Sequence, residues 1–257
     1  VRPPLRRKGV NVKSLAVWTI KGGVGKTSAA VNLAHAAATD GLRTLLWDLD
    51  PQGAASFYLR IPPGMEGAVE SITRKRTALA DLVLPTEFDN LTILPADFAY
   101  RHLDLALDAT KKPRKRFAAK LDGLADRHDL VILDCPPSVS LVSETVIKTV
   151  DAVLIPVIPS TLSMRTLHQV RVFISEQGRG ADVLPFLSMV DLRKKMHNEL
   201  GLACLADPAF LTVAIPSASV VEKMGITRAP VAATLPSQPA ARAFTALWRE
   251  IRERMEI

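Results

Sequence analysis

Seven consecutive residues, Lys21-Gly22-Gly23-Val24-Gly25-Lys26-Thr27, have the types and spacing to hold a polyanion. The glycines free the backbone to wrap closely around a phosphate, with successive N–H groups turned inward. The apolar run Leu15-Ala16-Val17-Trp18-Thr19-Ile20 precedes them, and an alanine-rich stretch follows. A strand before and a helix after are the context that a phosphate loop requires. The helix N-terminus adds the positive end of its dipole. In that setting Lys26 reaches the β- and γ-phosphates of a nucleoside triphosphate, and the Thr27 hydroxyl holds Mg²⁺. The expected contacts run from Gly22, Gly23, Val24 and Gly25 to Lys26, Thr27 and Ser28. The common pattern begins with a further glycine, separated by four residues from Gly25-Lys26-Thr27. Ile20 stands in its place, with Lys21 beside it.

The elements that must position this loop are read from the apolar pattern. Residues 14–20, 44–48, 91–95, 130–134, 152–158, 183–190 and 211–215 read as strands. Several are apolar without period-2 alternation, as parallel strands buried on both faces are. Residues 27–40 read as a helix closed by Gly41, and 143–150, 164–177 and 240–255 also have helical spacing. This alternation predicts an α/β fold: one doubly wound, mostly parallel sheet with helices on both faces. Residues 1–13, with Arg2, Arg6, Arg7, Lys8 and Lys13 and no acid, read as a flexible basic tail before a single domain over 14–257.

The loop sequence KGGVGKT resembles the deviant Walker A motif of the ParA/MinD family of ATPases. Leu45-Leu46-Trp47-Asp48-Leu49-Asp50-Pro51-Gln52-Gly53 looks like that family's DxDPQG segment, and this favours its ParA side. Val131-Ile132-Leu133-Asp134-Cys135-Pro136-Pro137-Ser138 looks like its Walker B strand and switch II. Residues 153–159 resemble the strand that ends near the nucleotide base, which would place Pro156 and Pro159 there. Val190-Asp191-Leu192-Arg193-Lys194-Lys195 is similar to a further family stretch, so the likeness spans residues 14–250.

The resemblance implies a P-loop NTPase fold that binds ATP with Mg²⁺ and hydrolyses it slowly. It implies that Lys21 crosses into a partner subunit and contacts its phosphates, making an ATP-dependent homodimer. Asp50 would position the attacking water beside the metal, and Asp134 would hold a Mg²⁺-bound water. A carboxylate in such a place is costly unless metal and lysines compensate it. Asp48 is either an acceptor for a nearby loop or part of the site. Ala54, where relatives often carry a polar residue after DPQG, departs from the family pattern in the switch, and Ser188-Met189-Val190 departs from it at the base, so no adenine contact is assigned there.

Lys and Arg number 33 against 26 Asp and Glu, a net charge of +7 that points to a polyanionic partner. Beyond the tail, the cations gather at Lys111, Lys112, Arg114, Lys115, Arg116 and Lys120, and again at Arg193, Lys194 and Lys195. Joined to the resemblance, this implies nonspecific DNA binding by the ATP-bound dimer. A ParB-like adaptor would stimulate hydrolysis, and a plasmid, chromosome or protein assembly would be positioned on the nucleoid in the cytoplasm. Arg193, Lys194, Lys195, Lys223 and Arg228 are the candidate DNA contacts, with Arg242 and Arg249 behind them.

The rival is a MinD-like chain that binds membrane through a C-terminal amphipathic helix. Phe244, Leu247, Trp248, Ile251 and Met255 recur at helical spacing, with Arg249, Arg252 and Arg254 opposite. Packing of that face on the domain is the plainer reading, and no membrane partner is expected. Cys135 and Cys204 are too few for a disulfide framework or a zinc site, and neither sits in an iron–sulfur context. Cys135 reads as an apolar filler, Trp18 and Trp47 as core, and His35 and His168 as packing or surface residues.

Overall fold

A computed structural model describes residues 12–62, 64, 67–74, 78–177 and 181–257. Of the tail drawn over residues 1–13, residues 1–11 lie outside this set, while Val12 is buried and Lys13 opens the first strand. Seven strands form one sheet: β1 (Lys13–Val17), β2 (Thr44–Asp48), β3 (Leu84–Pro85), β4 (Leu91–Leu94), β5 (Leu130–Asp134), β6 (Ala152–Val157) and β7 (Asp182–Leu187). Their spatial order is β3-β4-β2-β5-β1-β6-β7, and every pairing is parallel except the short antiparallel β3–β4 edge. Strands β2, β5 and β6 are buried at every position, which is why their sequences run apolar without alternating.

One face of the sheet carries α1 (Lys26–Thr39), the short α2 (Ala54–Tyr58) and, in the C-terminal part of the chain, α9 (Ser219–Glu222), α10 (Met224–Thr227), α11 (Val231–Thr234) and α12 (Pro239–Arg254). The other carries α3 (Ala68–Thr73), α4 (Leu103–Asp108), α5 (Pro113–Asp122), α6 (Leu141–Ile147) and α7 (Thr161–Glu176), with α8 (Lys195–Leu205) behind β7. Local chemistry starts several of these helices. Ser140 and Ser143 make a reciprocal capping box on α6, Ser160 caps α7, and proline opens α5 and α12. Trp47 on β2 stacks on Phe117 of α5 with ring centroids 5.1 Å apart, and Trp18 tilts against Phe173 of α7 at 5.7 Å. Both tryptophans are fully buried, as expected of core residues.

The amphipathic face of α12 packs on the domain. Phe244, Leu247, Trp248 and Ile251 are buried in the layer shared with α1, each contributing about 1.5–3 kcal/mol of burial. Asp40, just past α1, accepts from Trp248 Nε1 at 3.1 Å and from the Arg252 guanidinium at 2.7 Å. Among the described residues no helix is long and apolar enough to cross a membrane.

Residues 211–215 depart from the strand reading. They run beside β7, with Leu211 N–H donating to Pro185 O and Ile215 N–H to Leu187 O, both at 2.8 Å. The intervening N–H groups of Thr212 and Val213 go instead to the Glu250 carboxylate on α12, at 2.7 and 3.0 Å. A side chain thus takes the donors that a ladder would have used.

Candidate nucleotide-binding site

Residues 18–25 carry the chain from the end of β1 to the start of α1. Gly23 and Gly25 hold φ of +69° and +89°, a left-handed backbone that non-glycine residues adopt only at a cost. A Cβ on Gly25 would come within 3.1 Å of Ser188 Oγ, which itself donates to Val24 O at 2.9 Å. Ser188 therefore buttresses the loop from the end of β7, a role that nothing in its local sequence signals. Gly25→Ala is expected to lower stability by about 1–2 kcal/mol through the left-handed backbone alone. It should also weaken nucleotide binding, and denaturant midpoints with and without ATP would show both effects.

Lys26 is buried, and its ammonium donates to the Lys21 carbonyl at 3.2 Å, closing the loop on itself. Burial lowers its pKa, while the carboxylates of Asp134 and Asp50 pull the other way. Lys21 lies over the start of α7, donating to Ser163 Oγ at 3.1 Å.

Asp48 and Asp134 stand opposite each other as the last register pair of β2 and β5. Asp48 accepts from the Ser56 N–H and hydroxyl, each at 2.8 Å, so it anchors α2 to the sheet. Burial raises its pKa to about 6 against these hydrogen bonds. Asp134 is almost wholly buried, and among the described residues neither carboxylate oxygen reaches a full hydrogen bond, although the Thr27 hydroxyl and the Lys26 ammonium both act on it. Burial and the Asp48 charge push its pKa well above the usual carboxylate range, and the Thr27 hydroxyl opposes them. Asp50, two residues past β2, accepts from Gln52 N–H at 2.9 Å.

The loop lysine, the Thr27 hydroxyl and the three aspartates are thus gathered at the end of adjacent strands. Among the described residues no three His, Cys, Asp or Glu side chains could hold a metal by themselves. A divalent ion here would depend on the Thr27 hydroxyl and on oxygens that a phosphate ligand brings, the mode Mg²⁺ favours. The orphaned Asp134 carboxylate fits that need. Cys135 is buried beside it, and the same carboxylate and burial hold its thiol pKa high, which leaves it inert.

Beside the loop opens a cavity of about 230 Å³ lined by Gly23, Gly25, Ser28, Ser188, Met189 and residues 215–218. Pro156 does not line it. That proline borders a cleft of about 10 Å³ under Lys21 on the other side of the loop, and Pro159 is buried in the turn beyond β6. The two prolines and the larger cavity are therefore not brought together.

The expected DNA contacts occupy exposed ground after β7 and around α9 and α10, but several are engaged within the chain. Arg193 forms a two-pronged pair with Asp191, both contacts at 2.9 Å, holding the Asp191 pKa at about 2. Lys195 approaches Glu199 at 3.6 Å. Arg228 lies over the Phe57 ring at 4.5 Å and donates to its carbonyl. Lys194 and Lys223 are exposed. Arg242 donates to Ser237 O at 2.6 Å, and Arg249 borders a surface hollow beside Asp40.

A buried asparagine that the sequence did not announce ties this region to the loop. Asn32 of α1 donates to Ser28 O at 2.7 Å and accepts from the Val231 N–H at 2.8 Å.

A parallel sheet with a glycine-rich loop, a loop lysine and strand-end carboxylates defines a P-loop NTPase. The AAA domain family matches residues 12–179. The chain is 35% identical to the sporulation initiation inhibitor protein Soj of Bacillus subtilis over 146 residues, 56% of this chain and 58% of Soj. It is 30% identical to the chromosome partitioning protein ParA of Caulobacter vibrioides over 209 residues, 74% of each. It thus spans less than two thirds of Soj and more than two thirds of that ParA. Its fold matches a Borrelia burgdorferi plasmid partition protein bound to AMPPNP at a TM-score of 0.79 and 16% identity, covering 95% of this chain and all of the other. The chain belongs to the ParA/MinD family of deviant Walker A ATPases.

Proposed function

We propose that the chain binds ATP with Mg²⁺, dimerises across the bound triphosphates, and as that dimer holds DNA without sequence preference to position or segregate a cargo. The orphaned Asp134 carboxylate, set between Lys26 and Thr27 of the loop and Asp48 and Asp50, carries this reading. The loop N–H groups and Lys26 bind the β- and γ-phosphates, while the 230 Å³ cavity takes the base. Mg²⁺, when bound, supplies charge that offsets the carboxylates and the γ-phosphate. Thr27 and Asp134 hold it, directly or through water, with Asp50 close by. Asp50 orients the water that attacks the γ-phosphate. No arginine lines the loop or the cavity among the described residues, so unaided hydrolysis is slow. A group supplied by an adaptor raises it, as an arginine finger does by about 10³–10⁵. The ParA and Soj relatives, one named for chromosome partitioning, support a cargo of this kind.

Light scattering and DNA binding in ATP, in ADP and without nucleotide test this. A dimer that binds DNA only with ATP and Mg²⁺ is expected. A chain that stays single, or grips DNA equally when empty, would overturn it. In the single chain Lys21 is half-buried, its ammonium resting on Ser163 beside the loop rather than on a carboxylate. Lys21→Ala is therefore expected to abolish the ATP-dependent dimer and its DNA binding while fluorescent ATP still binds the single chain.

A further inference from the structure

The cations that the reading above leaves unused gather on and before α5. Lys111 and Lys112 precede the helix, and Lys115, Arg116 and Lys120 lie on it. All five line one concavity of about 520 Å³, floored by Leu79 and Ala119. Lys112, Arg116 and Lys120 are spaced by four residues, which puts them on one ridge at steps of about 6 Å along the helix axis. Lys111 and Lys115 run alongside.

This crowding is unfavourable in isolation. Like charges at such spacing repel, and α5 has no acid in its first turn to answer the helix dipole. Among the described residues none of Lys111, Lys112 or Lys115 pairs with a carboxylate. Arg116 donates to the Thr73 carbonyl, which fixes the ridge against α3. Lys112 also holds a left-handed φ of +59°. Burial and Arg116 lower the Lys120 pKa. An array of anions along the ridge offsets the mutual repulsion of the cations and answers the helix dipole, where one compact anion meets only part of the ridge. Duplex DNA is such an array, with one charge per about 3.4 Å of axis on each strand.

We propose that the α5 ridge is a second DNA-contact surface, seating the phosphates of one strand; this rests on the DNA-binding reading above. The surface is separate from Arg193–Lys195. Phe117 holds α5 against β2, four strands from β7, a distance of about 20 Å across the sheet.

The test is fluorescence anisotropy of the full chain with ATP, Mg²⁺ and a mixed-sequence duplex, between about 50 and 200 mM salt. Lys111→Gln/Lys115→Gln changes two exposed side chains outside the nucleotide site and should leave ATP affinity and melting temperature unchanged. Its slope of log affinity on log salt should be shallower by about 2, with affinity lower by roughly tens of fold. An unchanged slope overturns the proposal. If Lys194→Gln alone flattens the slope, DNA binding stands and the α5 surface falls. If the wild-type chain with ATP binds no duplex, both fall. If the double variant keeps the wild-type slope but loses a poly-glutamate probe that the wild type holds, the ridge docks an acidic protein and the proposal is overturned.

Discussion

Asp50→Ala is expected to slow ATP turnover by about 10²–10⁴-fold, the usual contribution of a positioned base, while leaving ATP affinity nearly intact. Asp50 and Asp48 are separated by one residue, yet their surroundings differ. Asp48 is buried; it holds α2 through the Ser56 N–H and hydroxyl and also accepts from the Asp50 N–H. Asp50 is half-buried, and among the described residues its carboxylate accepts only the nearby Gln52 N–H. Removing it costs the fold little and removes the group that orients water. The variant should therefore persist as an ATP-bound dimer on DNA, seen as slow dissociation from a duplex with ATP present. Rapid release at the wild-type rate would remove Asp50 from the reaction.

Asp134→Asn should act on the nucleotide-free chain in the opposite direction from most core substitutions. It is expected to stabilise that chain by about 1–3 kcal/mol at about pH 8, because it removes a buried carboxyl that costs free energy there whether it is ionised or holds its proton. The sign follows from proton binding. Burial raises the Asp134 pKa well above 3.8 and that of Asp48 to about 6, so the folded chain keeps protons that the unfolded chain releases above about pH 4. These groups therefore cost stability as pH rises through and beyond that window, and Asn at 134 flattens the loss. Lys26 softens the cost but ranks below burial and the neighbouring carboxylates. Urea midpoints at about pH 5 and about pH 8 should show a gain that grows with pH. ATP with Mg²⁺ should stabilise the wild type strongly and the variant little. A variant less stable at the higher pH would show that the carboxylate is already compensated.

The strands and the phosphate loop were legible because their signals are local. Uninterrupted apolar runs mark strands buried on both faces, and the loop announces itself by glycine and lysine spacing beside one of them. Six of the seven predicted strands form, 44–48 and 130–134 to the residue, while the first and the sixth end three residues early, at Val17 and Leu187. The seventh, at 211–215, fails because Glu250 competes for its N–H groups from about 40 residues away in the chain. Helices α2 to α5 and α8 to α11 escaped because they are short, strongly charged or, in α8, interrupted by Gly201, and tertiary packing rather than periodicity holds them. In the candidate site the missed residues are serines. Ser56, Ser163 and Ser188 matter only for the partner that each finds across the fold, and a serine has no spacing that foretells one. The cavity beside the loop was missed for the same reason, being assembled from five separated stretches of chain.

Asn32 lies six residues along α1 from Lys26, a distance of about 9 Å. Its amide grips Ser28 on one side and Val231 on the other, and its nitrogen also meets the Met224 sulfur at 3.2 Å. The stretch that bears Lys223 and Arg228 is thereby riveted to the rod whose tip is the glycine loop. A shift of that tip reaches those cations as the movement of one stiff part, with no slack loop in between to absorb it.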